Sequence, residues 1–404
     1  MNYYLITVLL WPVFFLYTLK IALRDRSSRY FLQRLGFKYP QHKKNTWWIH
    51  CASVGEANTY FPLHLKLLEK YPHTQFIITT NTTTGARTVK KYAATRTTHC
   101  YLPIESALAI KRFLKACKPQ KCLIMETEIW PLLYKNCNVS GVPIYIINAR
   151  LSHRTLNTNN WILGIYKCAL KNVHGILCKS ETELNNFKAL GAATDKLKIA
   201  GNLKFTSILN ETRPEQIDLK HRAYCVAAST HQDEEQQLAL LWSRLDTTHL
   251  LVIAPRHPNR SESIQKQLNE LDINFAVRSK NEPVTEKTQV YLADTLGELN
   301  RFMAYADFVF IGGSLIKHGG QNLLEPARLG KAIFCGPHMF NFKDELELLL
   351  KHDACIQISS IDELGQAFTE CLKQISQCAE TGDRAKVAVE QQSGILDNYL
   401  KLLN

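Results

Sequence analysis

The amino-acid sequence predicts an α/β protein with two doubly wound domains that follow a hydrophobic amino-terminal helix. The chain has 404 residues with 46% hydrophobic content, which is enough for two cores of ordinary domain size. Short apolar runs alternate with helix-length segments in two successive series, which is typical of parallel sheets covered by helices. The first 19 residues carry no charged side chain. As a helix rising about 1.5 Å per residue, such a segment spans the roughly 30 Å hydrocarbon layer of a bilayer.

The amino-terminal segment is predicted to be an uncleaved membrane anchor over residues 1–22. A cleaved signal peptide has basic residues before its apolar run, but no Lys or Arg precedes the apolar run of this chain. Between positions 20 and 44 there are eight basic residues and one acid, Asp25. By the positive-inside rule this charge places the rest of the chain on the cytoplasmic side, where it attracts anionic lipids. The alternative interpretation is a helix buried in the protein.

Two series of strands are predicted, one for each domain. The first series lies at residues 46–50, 75–81, 121–126, 143–148 and 175–179. The second lies at residues 224–228, 250–254, 289–293, 307–312 and 332–335. A polar, proline-containing stretch at 210–214 separates the series, so the domains are predicted at 23–210 and 211–404. Ligands of such sheets bind beyond the carboxyl ends of the strands, where we therefore expect the functional residues.

The composition favours an anionic partner. The formal net charge is +13, which favours nucleic acid, anionic lipid or a phosphorylated small molecule. A nucleic-acid-binding module is disfavoured, because the sequence has neither a zinc-ligand pattern nor an aromatic RNA-binding cluster. The 12 cysteines are scattered and include no C-x-x-C pair, so we expect reduced, buried thiols.

Acidic residues follow two predicted strands of the first domain. Glu56 comes after TWWIH in the segment HCASVGEA, near the start of a helix, where it faces the crevice. The alternative is an acid that only interacts with the helix dipole. Glu126 and Glu128 end the strand KCLIM with one residue between them, so strand geometry places both side chains on the same face. Such a pair is either an acid–base or metal-binding feature, or two surface acids.

Basic and glycine-rich turns follow later strands. Lys204 comes after a Gly-Asn turn and is either a cation of the site or a solvated side chain. Arg256 follows the strand LLVI in the segment APRHP, where a guanidinium binds phosphate oxygens well. The glycine-rich turns at 312–314 and 319–326 precede helix starts and are candidates for phosphate binding. The chain lacks both the dinucleotide-binding glycine fingerprint and the P-loop.

Seven motifs in a fixed order resemble those of a known family. They are HCASVGE, METEIWP, GNLKF, APRHP, DTLGEL, GGSLIKHGGQNLLEPA and GPHMFNF. The set is similar to that of the 3-deoxy-D-manno-octulosonic acid (Kdo) transferases of bacterial lipid A biosynthesis. The resemblance implies two Rossmann-like domains of the glycosyltransferase B type. It also implies inverting transfer of Kdo from CMP-Kdo to the tetra-acylated lipid A precursor, lipid IVA, on the cytoplasmic side of the bacterial inner membrane.

The resemblance also assigns roles by position in the motifs. Glu56 matches the catalytic base, and Glu126 and Lys204 match the groups that stabilise the transition state. The implied contacts to CMP are Pro255, Arg256, Leu296, Gly297, Glu298, Asn322, Leu323, Leu324 and Glu325. Direct displacement needs one base and no covalent intermediate. Because the sequence has no D-x-D motif, the reaction does not demand a divalent metal, with Glu126 and Glu128 as the alternative pair that could hold one, and we expect no cofactor beyond the donor. Thr206 stands where the family usually has Asp.

Two other function classes are weighed against this one. The first is an NAD-dependent or nucleotide-sugar-modifying enzyme of the Rossmann type, which the missing glycine fingerprint disfavours. The second is a membrane-tethered nucleic-acid-binding protein, for which only the positive charge speaks. Within the family, a transferase that uses another acceptor remains the alternative.

Overall fold

The computed structural model describes residues 3–41, 45–92, 95–206 and 214–404. The chain forms two compact units. Unit 1 comprises Met1–Ile208 and Gly394–Asn404, and unit 2 comprises Leu209–Ser393. The predicted domain boundary at 210–214 lies outside the described residues except for its last position. The second domain was expected to run to residue 404, but the final helix belongs to unit 1.

Each unit contains one sheet of seven strands, and every described pairing is parallel. The strands of unit 1 are β1 Thr46–His50, β2 Gln75–Thr80, β3 Thr97–Tyr101, β4 Lys121–Met125, β5 Ile144–Ala149, β6 Gly175–Cys178 and β7 Leu197–Ile199. Those of unit 2 are β8 Tyr224–Thr230, β9 Leu250–Pro255, β10 Phe275–Val277, β11 Val290–Leu292, β12 Phe308–Ile311, β13 Ala332–Cys335 and β14 Ile356–Gln357. The fold class predicted for the two domains is therefore confirmed.

Helices connect the strands and cover the sheets. In unit 1 they are α1 Tyr3–Leu9, α2 Trp11–Arg24, α3 Ser28–Arg34, α4 Val54–Lys70, α5 Thr83–Tyr92, α6 Ala107–Cys117, α7 Pro131–Val139, α8 His153–Leu156, α9 Asn160–Leu170 and α10 Glu181–Ala189. Unit 2 contains α11 Glu234–Ser243, α12 Ser261–Glu270, α13 Leu299–Tyr305, α14 Leu324–Arg328, α15 Lys343–Lys351, α16 Ile361–Lys373 and α17 Ile375–Glu390. The last helix, α18 Ile395–Leu402, returns to unit 1.

The strand order places one switch point in each sheet. The order in unit 1 is β3-β2-β1-β4-β5-β6-β7, and the order in unit 2 is β10-β11-β9-β8-β12-β13-β14. The direction of winding reverses between β1 and β4 in the first sheet and between β8 and β12 in the second. Loops that leave neighbouring strands in opposite directions open a crevice at the carboxyl ends, where ligands of such sheets bind.

Helix α18 packs on one face of the first sheet. Its side chains Ile395 and Tyr399 belong to the same buried cluster as Ile49 and Met125 of the central strands. Tyr399 is fully buried. The carboxyl end of the chain is therefore part of the core of unit 1.

The amino terminus forms two helices where one membrane-spanning helix was predicted over residues 1–22. Helix α1 ends at Leu9, and α2 begins at Trp11 with Pro12 in its first turn. Proline lacks an N–H and suits the first turn of a new helix better than the interior of a continuous one. In the described part of the chain, no helix is both long and apolar enough to cross a bilayer.

One pair of cysteines departs from the prediction of reduced thiols. Cys371 in α16 and Cys378 in α17 form a disulfide. The two helices meet at Gln374, and this turn brings the two Cα atoms to 5.4 Å. The other ten cysteines are free, and all of them except Cys168 are buried.

Candidate active site

Glu56 lies at the switch point of the first sheet, in the first turn of α4. The hydroxyl of Ser53 caps this helix by accepting the backbone N–H of Glu56. The Glu56 carboxylate in turn accepts the backbone N–H of Ala52 at 2.8 Å. These are the contacts of an acid at the start of a helix, which is the alternative interpretation that the sequence left open for Glu56. Its ionisation is a separate question.

The pKa of Glu56 is raised to about 8. Burial is the main cause, and the negative charges of Glu126 and Glu128 raise it further, against the hydrogen bond from Ala52. A carboxyl group whose pKa lies near neutral pH both accepts and releases protons under physiological conditions. The three acids that the sequence singled out are therefore electrostatically coupled in the structure.

Glu126 departs from strand geometry. Strand β4 ends at Met125, and Glu126 has a left-handed backbone conformation with φ of +57°. Arg150, which follows β5, donates to the Glu126 carboxylate at 2.6 Å. The prediction that Glu126 and Glu128 share a strand face is wrong, because the strand ends before the first of them.

Glu128 has different partners. Its carboxylate accepts the indole N–H of Trp130 at 2.8 Å and lies 3.8 Å from Nε2 of the buried His50. Burial acts to raise the pKa of Glu128, but His50 and Trp130 together lower it below the ordinary value. Glu128 is thus held as a carboxylate, whereas Glu56 readily takes up a proton. Among the described residues, no cluster of three His, Cys, Asp or Glu side chains is suited to a metal ion.

Lys204 lies in a short 3-10 turn, Leu203–Thr206, that follows β7. This turn packs against the helix of Glu56, because Leu203 shares a buried cluster with Ala57 and Tyr60 of α4. The backbone N–H of Lys204 donates to the side-chain oxygen of Asn202 at 3.0 Å. The structure therefore brings the lysine turn and the glutamate helix of unit 1 together.

Thr206 takes over a local role in the same turn. Its hydroxyl donates to the carbonyl oxygen of Leu203 at 2.8 Å. The hydroxyl therefore closes the 3-10 turn.

An apolar cavity of about 370 Å³ borders Glu128 in unit 1. Its lining is mostly hydrophobic and comes from α1, from α9 and from the segment between β4 and α7: Tyr3, Ile6, Trp161, Ile162, Ile165, Tyr166, Ile129 and Trp130. Of the three acids of the site, Glu128 thus lies beside an apolar surface.

In unit 2, Pro255 is the last residue of β9 and Arg256 follows it. Pro255 is buried at the end of the strand, and Arg256 is exposed. The backbone N–H of Arg256 donates to the carbonyl oxygen of Thr230 at the end of β8. This bond fixes the backbone and leaves the guanidinium on the surface near the switch point between β8 and β12.

The segment Leu296–Glu298 forms an exposed turn before α13. Leu296 is 82% exposed, and Gly297 has φ of +85°, a backbone conformation that favours glycine. The Glu298 carboxylate receives two hydrogen bonds from Arg278 and one from Arg301. These bonds, above all those from Arg278, lower the pKa of Glu298 to about 2. The Glu298 carboxylate is therefore paired with two arginine side chains of unit 2.

The segment 322–325 opens the short helix α14. The side chains of Leu323 and Leu324 are buried. The Asn322 side chain accepts the backbone N–H of Leu324 at 3.0 Å and donates to the Glu325 carboxylate at 3.0 Å. In this segment, which the sequence predicts to contact CMP, the side chains of Asn322 and Glu325 thus bind each other.

The glycine-rich turn at 312–314 differs from its prediction as a phosphate site. The backbone N–H groups of Gly313, Ser314 and Leu315 all donate to the carboxylate of Glu234, at 2.6 to 3.1 Å. Glu234 is completely buried. A carboxylate of the protein therefore occupies the position that the sequence assigned to a bound phosphate.

Sequence reasoning missed several residues that shape the two switch points. In unit 1 these are His50 and Arg150, and in unit 2 they are His231, Glu234, His318 and Gln321. The ring centroids of His231 and His318 are 3.8 Å apart, and Gln321 lies 2.9 Å from Nε2 of His231. Burial and the neighbouring cations lower the pKa of His231 to about 4. The position of a residue relative to the strands could have indicated three of them, since His50, Arg150 and His231 all lie at or just beyond the ends of strands.

Comparison with known proteins identifies the family. The sequence model of a family described as 3-deoxy-D-manno-octulosonic-acid transferase (kdotransferase) matches residues 29–207. A 3-deoxy-D-manno-octulosonic acid transferase of Haemophilus influenzae is 32% identical over 365 residues, covering 88% of this chain and 86% of the relative. A transferase of the same name from Rickettsia bellii is 28% identical over 418 residues, covering 99% of this chain and 98% of the relative.

Solved structures share the fold at low sequence identity. A putative UDP-N-acetylglucosamine 2-epimerase from Listeria monocytogenes matches with a TM-score of 0.60 and 13% identity, covering 89% of this chain and 96% of its own. A glycosyltransferase from Rickettsia africae matches with a TM-score of 0.60 and 13% identity, covering 89% and 98%. At this identity the likeness extends to the fold alone. The relatives in sequence show that the chain belongs to the 3-deoxy-D-manno-octulosonic acid transferase family of glycosyltransferases.

Proposed function

We propose that the protein transfers Kdo from CMP-Kdo to the tetra-acylated lipid A precursor, lipid IVA, with inversion and with Glu56 as the general base. The observation that carries the proposal is the position of Glu56 in the first turn of α4 at the switch point of unit 1, where burial and the charges of Glu126 and Glu128 raise its pKa to about 8. A base must accept a proton and then release it, and a pKa near the working pH serves both steps. Family membership supplies the reaction class.

The proposed reaction is a direct displacement. A hydroxyl oxygen of the acceptor bonds to the anomeric carbon of Kdo while its proton moves to the Glu56 carboxylate. The bond from that carbon to the phosphate oxygen breaks, and CMP leaves with the electron pair. Positive charge develops at the anomeric carbon and negative charge on the phosphate, so carboxylates and cations in fixed positions stabilise the transition state. Glu126 and Lys204 take these roles in the proposal.

The donor is proposed to bind in unit 2. The exposed guanidinium of Arg256 suits bidentate hydrogen bonds to a phosphate. The other proposed contacts are Pro255, the turn Leu296–Glu298 and the segment 322–325. In that segment the side chains of Leu323 and Leu324 are buried, and the Leu324 N–H already donates to Asn322, so contact from these two residues is proposed through their other backbone groups. Glu298 is proposed to act as an ion-paired carboxylate that accepts hydroxyl groups.

The acceptor and the membrane are proposed to meet at the amino terminus. Helices α1 and α2 expose large apolar side chains, among them Leu9 at 75%, Val13 at 60% and Leu16 at 63%. Apolar side chains next to basic residues favour attachment to an anionic bilayer surface. Tyr3 and Ile6 of α1 also line the apolar cavity beside Glu128, a surface suited to acyl chains. We place this attachment on the cytoplasmic face of the bacterial inner membrane.

The substitution Glu56→Gln tests the proposed base. The amide keeps the shape of the side chain but accepts no proton, so transfer is expected to fall by about 10²- to 10⁴-fold. Purified protein is incubated with CMP-Kdo and lipid IVA, and the lipid product is weighed by mass spectrometry. A thermal melt and a CMP titration on the same sample serve as controls, and both are expected to match the parent.

Two outcomes contradict the proposal. Near-parental transfer by Glu56→Gln leaves Glu56 as a helix-start acid only. Parent protein that forms no Kdo–lipid product, but transfers Kdo to a different hydroxyl-bearing acceptor, excludes lipid IVA as the substrate.

A further inference from the structure

The carboxyl end of β5 is held by the carboxyl-terminal helix. Asn148 has a left-handed backbone with φ of +50°, and the pairing of β5 with β6 shifts register between Ile146 and Ala149. At this irregularity the backbone N–H of Asn148 donates to the hydroxyl oxygen of Tyr399 at 3.0 Å. A hydroxyl from α18 therefore satisfies a buried backbone donor at the irregular end of β5.

The side chains of Asn148 and Tyr399 also bind the turn that follows β7. The Tyr399 hydroxyl donates to the carbonyl oxygen of Gly201 at 3.0 Å. The Asn148 side-chain oxygen accepts the backbone N–H of Leu203, also at 3.0 Å. Asn148, Leu203 and Tyr399 are all buried, so the two hydrogen bonds of Asn148 with Tyr399 and Leu203 are shielded from water. Three hydrogen bonds thus join the end of β5, where one loop begins, through α18 and directly to the loop that follows β7.

Gly201 shows how closely α18 approaches this turn. Its φ is +97°, and a Cβ atom there would lie 2.7 Å from a side-chain carbon of Ile395. Glycine is therefore required at this point of the turn.

The two loops carry groups of the proposed active site. Arg150 lies two residues after Asn148 and donates to Glu126 at 2.6 Å. Lys204 directly follows Leu203, whose N–H binds Asn148. We infer that Asn148 and Tyr399 are positioning residues that hold the Arg150–Glu126 pair and Lys204 in fixed relation to each other. The inference rests on the proposed function, because it presupposes that Glu126 and Lys204 act in transfer.

Three substitutions separate positioning from folding. Asn148→Gly keeps the left-handed backbone and removes the side-chain oxygen, whereas Asn148→Asp keeps an oxygen at that place. Tyr399→Phe removes the hydroxyl and keeps the ring. Since small misplacements of reacting groups cost up to about 10²-fold in rate, we expect Asn148→Gly and Tyr399→Phe to lower kcat by roughly 10- to 100-fold. The KM for CMP-Kdo is expected to stay within about twofold of the parent. Asn148→Asp is expected to recover most of kcat.

Tyr71→Phe is the matched control for Tyr399→Phe. The Tyr71 hydroxyl donates to Asn404 at 2.6 Å, so it binds the same end of the chain without contacting either loop. Its removal is expected to leave kcat unchanged. Equal losses of kcat in Tyr71→Phe and Tyr399→Phe overturn the inference, because anchoring of α18 alone then explains both.

Lys204→Ala distinguishes failure of the inference from failure of the proposed function. If Lys204→Ala abolishes transfer while Tyr399→Phe and any folded Asn148→Gly protein keep parental kcat, the inference is wrong and the proposed function stands. If Lys204→Ala keeps parental transfer, the proposed role of Lys204 is wrong and the inference falls with it, whereas the proposed function fails only if the parent forms no Kdo–lipid product. If Asn148→Gly does not fold, Tyr399→Phe and the recovery in Asn148→Asp decide the matter. A loss of kcat in Tyr399→Phe that disappears at lower assay temperature, together with a lowered melting temperature, also overturns the inference.

Discussion

Glu56 and Glu128 both lie beyond the carboxyl ends of central strands of the first sheet, but their pKa values are shifted in opposite directions. Burial near other carboxylates raises the pKa of Glu56 to about 8. Glu128 is also buried, but His50 and Trp130 stabilise its charged form and lower its pKa. Two carboxyl groups with separated pKa values are suited to different tasks, one as proton carrier and one as fixed charge. This difference favours Glu56 as the base.

The pH dependence of transfer tests this assignment. The deprotonated carboxylate is the active form of a base, so kcat/KM is expected to rise with pH and to level off above about 8, the pKa of Glu56. Glu105 provides the control, since burial raises its pKa to about 7 in the same unit while it binds the backbone N–H of Leu132. A folded Glu105→Gln variant is expected to keep the rising limb. A limb that persists unchanged in Glu56→Gln contradicts the assignment.

Ionisation of Glu56 also affects stability, in the opposite direction. Its pKa in the folded chain lies above the ordinary value of 4.5, so the folded state holds a proton that the unfolded state releases. The contribution of this proton to the stability of the folded state is complete below about pH 4.5 and is lost as the pH rises through about 8. The active form of Glu56 is thus the one that the fold favours less.

Motif order could identify Glu56, Glu126 and Lys204, but not the geometry around them. The predicted shared face of Glu126 and Glu128 failed because the chain turns left-handed at Glu126. Arg150 was not predicted as a partner of Glu126, since the contact joins the ends of two different strands. Such pairings depend on sheet order, which local sequence does not encode.

The strands themselves were predictable where both faces are buried. All ten predicted strands are present, whereas the four missed ones are β3, β7, β10 and β14. Each missed strand lies at an edge of its sheet. Edge strands are short or partly solvated and lack a continuous apolar run, as in TTHCY of β3 or the three residues of β7. Burial therefore explains both the success and the omissions.

The amino-terminal helices make the membrane proposal testable at the level of an element. Replacing Leu9 and Leu16 together by Gln removes two exposed leucines. Burying a leucine contributes about 1.5 to 3 kcal/mol, so binding to vesicles of phosphatidylethanolamine and phosphatidylglycerol is expected to weaken at least about tenfold. Leu108→Gln, at an exposed leucine of α6, is expected to bind like the parent. Equal vesicle binding by all three proteins removes α1 and α2 from the membrane contact.

At the scale of the whole molecule, the two units use the same topology with different chemistry. The switch point of unit 1 carries coupled carboxylates, one of which is poised to take a proton. In unit 2, Glu234 at the switch point is bonded to backbone N–H groups, while Arg256 lies exposed at the next strand end. Proton transfer and donor binding are therefore expected to be separable by mutation.

Arg256→Ala tests that separation. Loss of a charge-assisted hydrogen bond costs about 1.5 to 3 kcal/mol, so CMP is expected to bind roughly 10- to 100-fold more weakly by calorimetry. Arg244→Ala removes another exposed arginine of unit 2 and is expected to keep the parental affinity. Glu56→Gln is expected to keep it as well, because its lesion is confined to proton transfer. Parental CMP affinity in Arg256→Ala excludes Arg256 from the donor site. Weakened CMP binding in Glu56→Gln shows instead that the two functions are not separable.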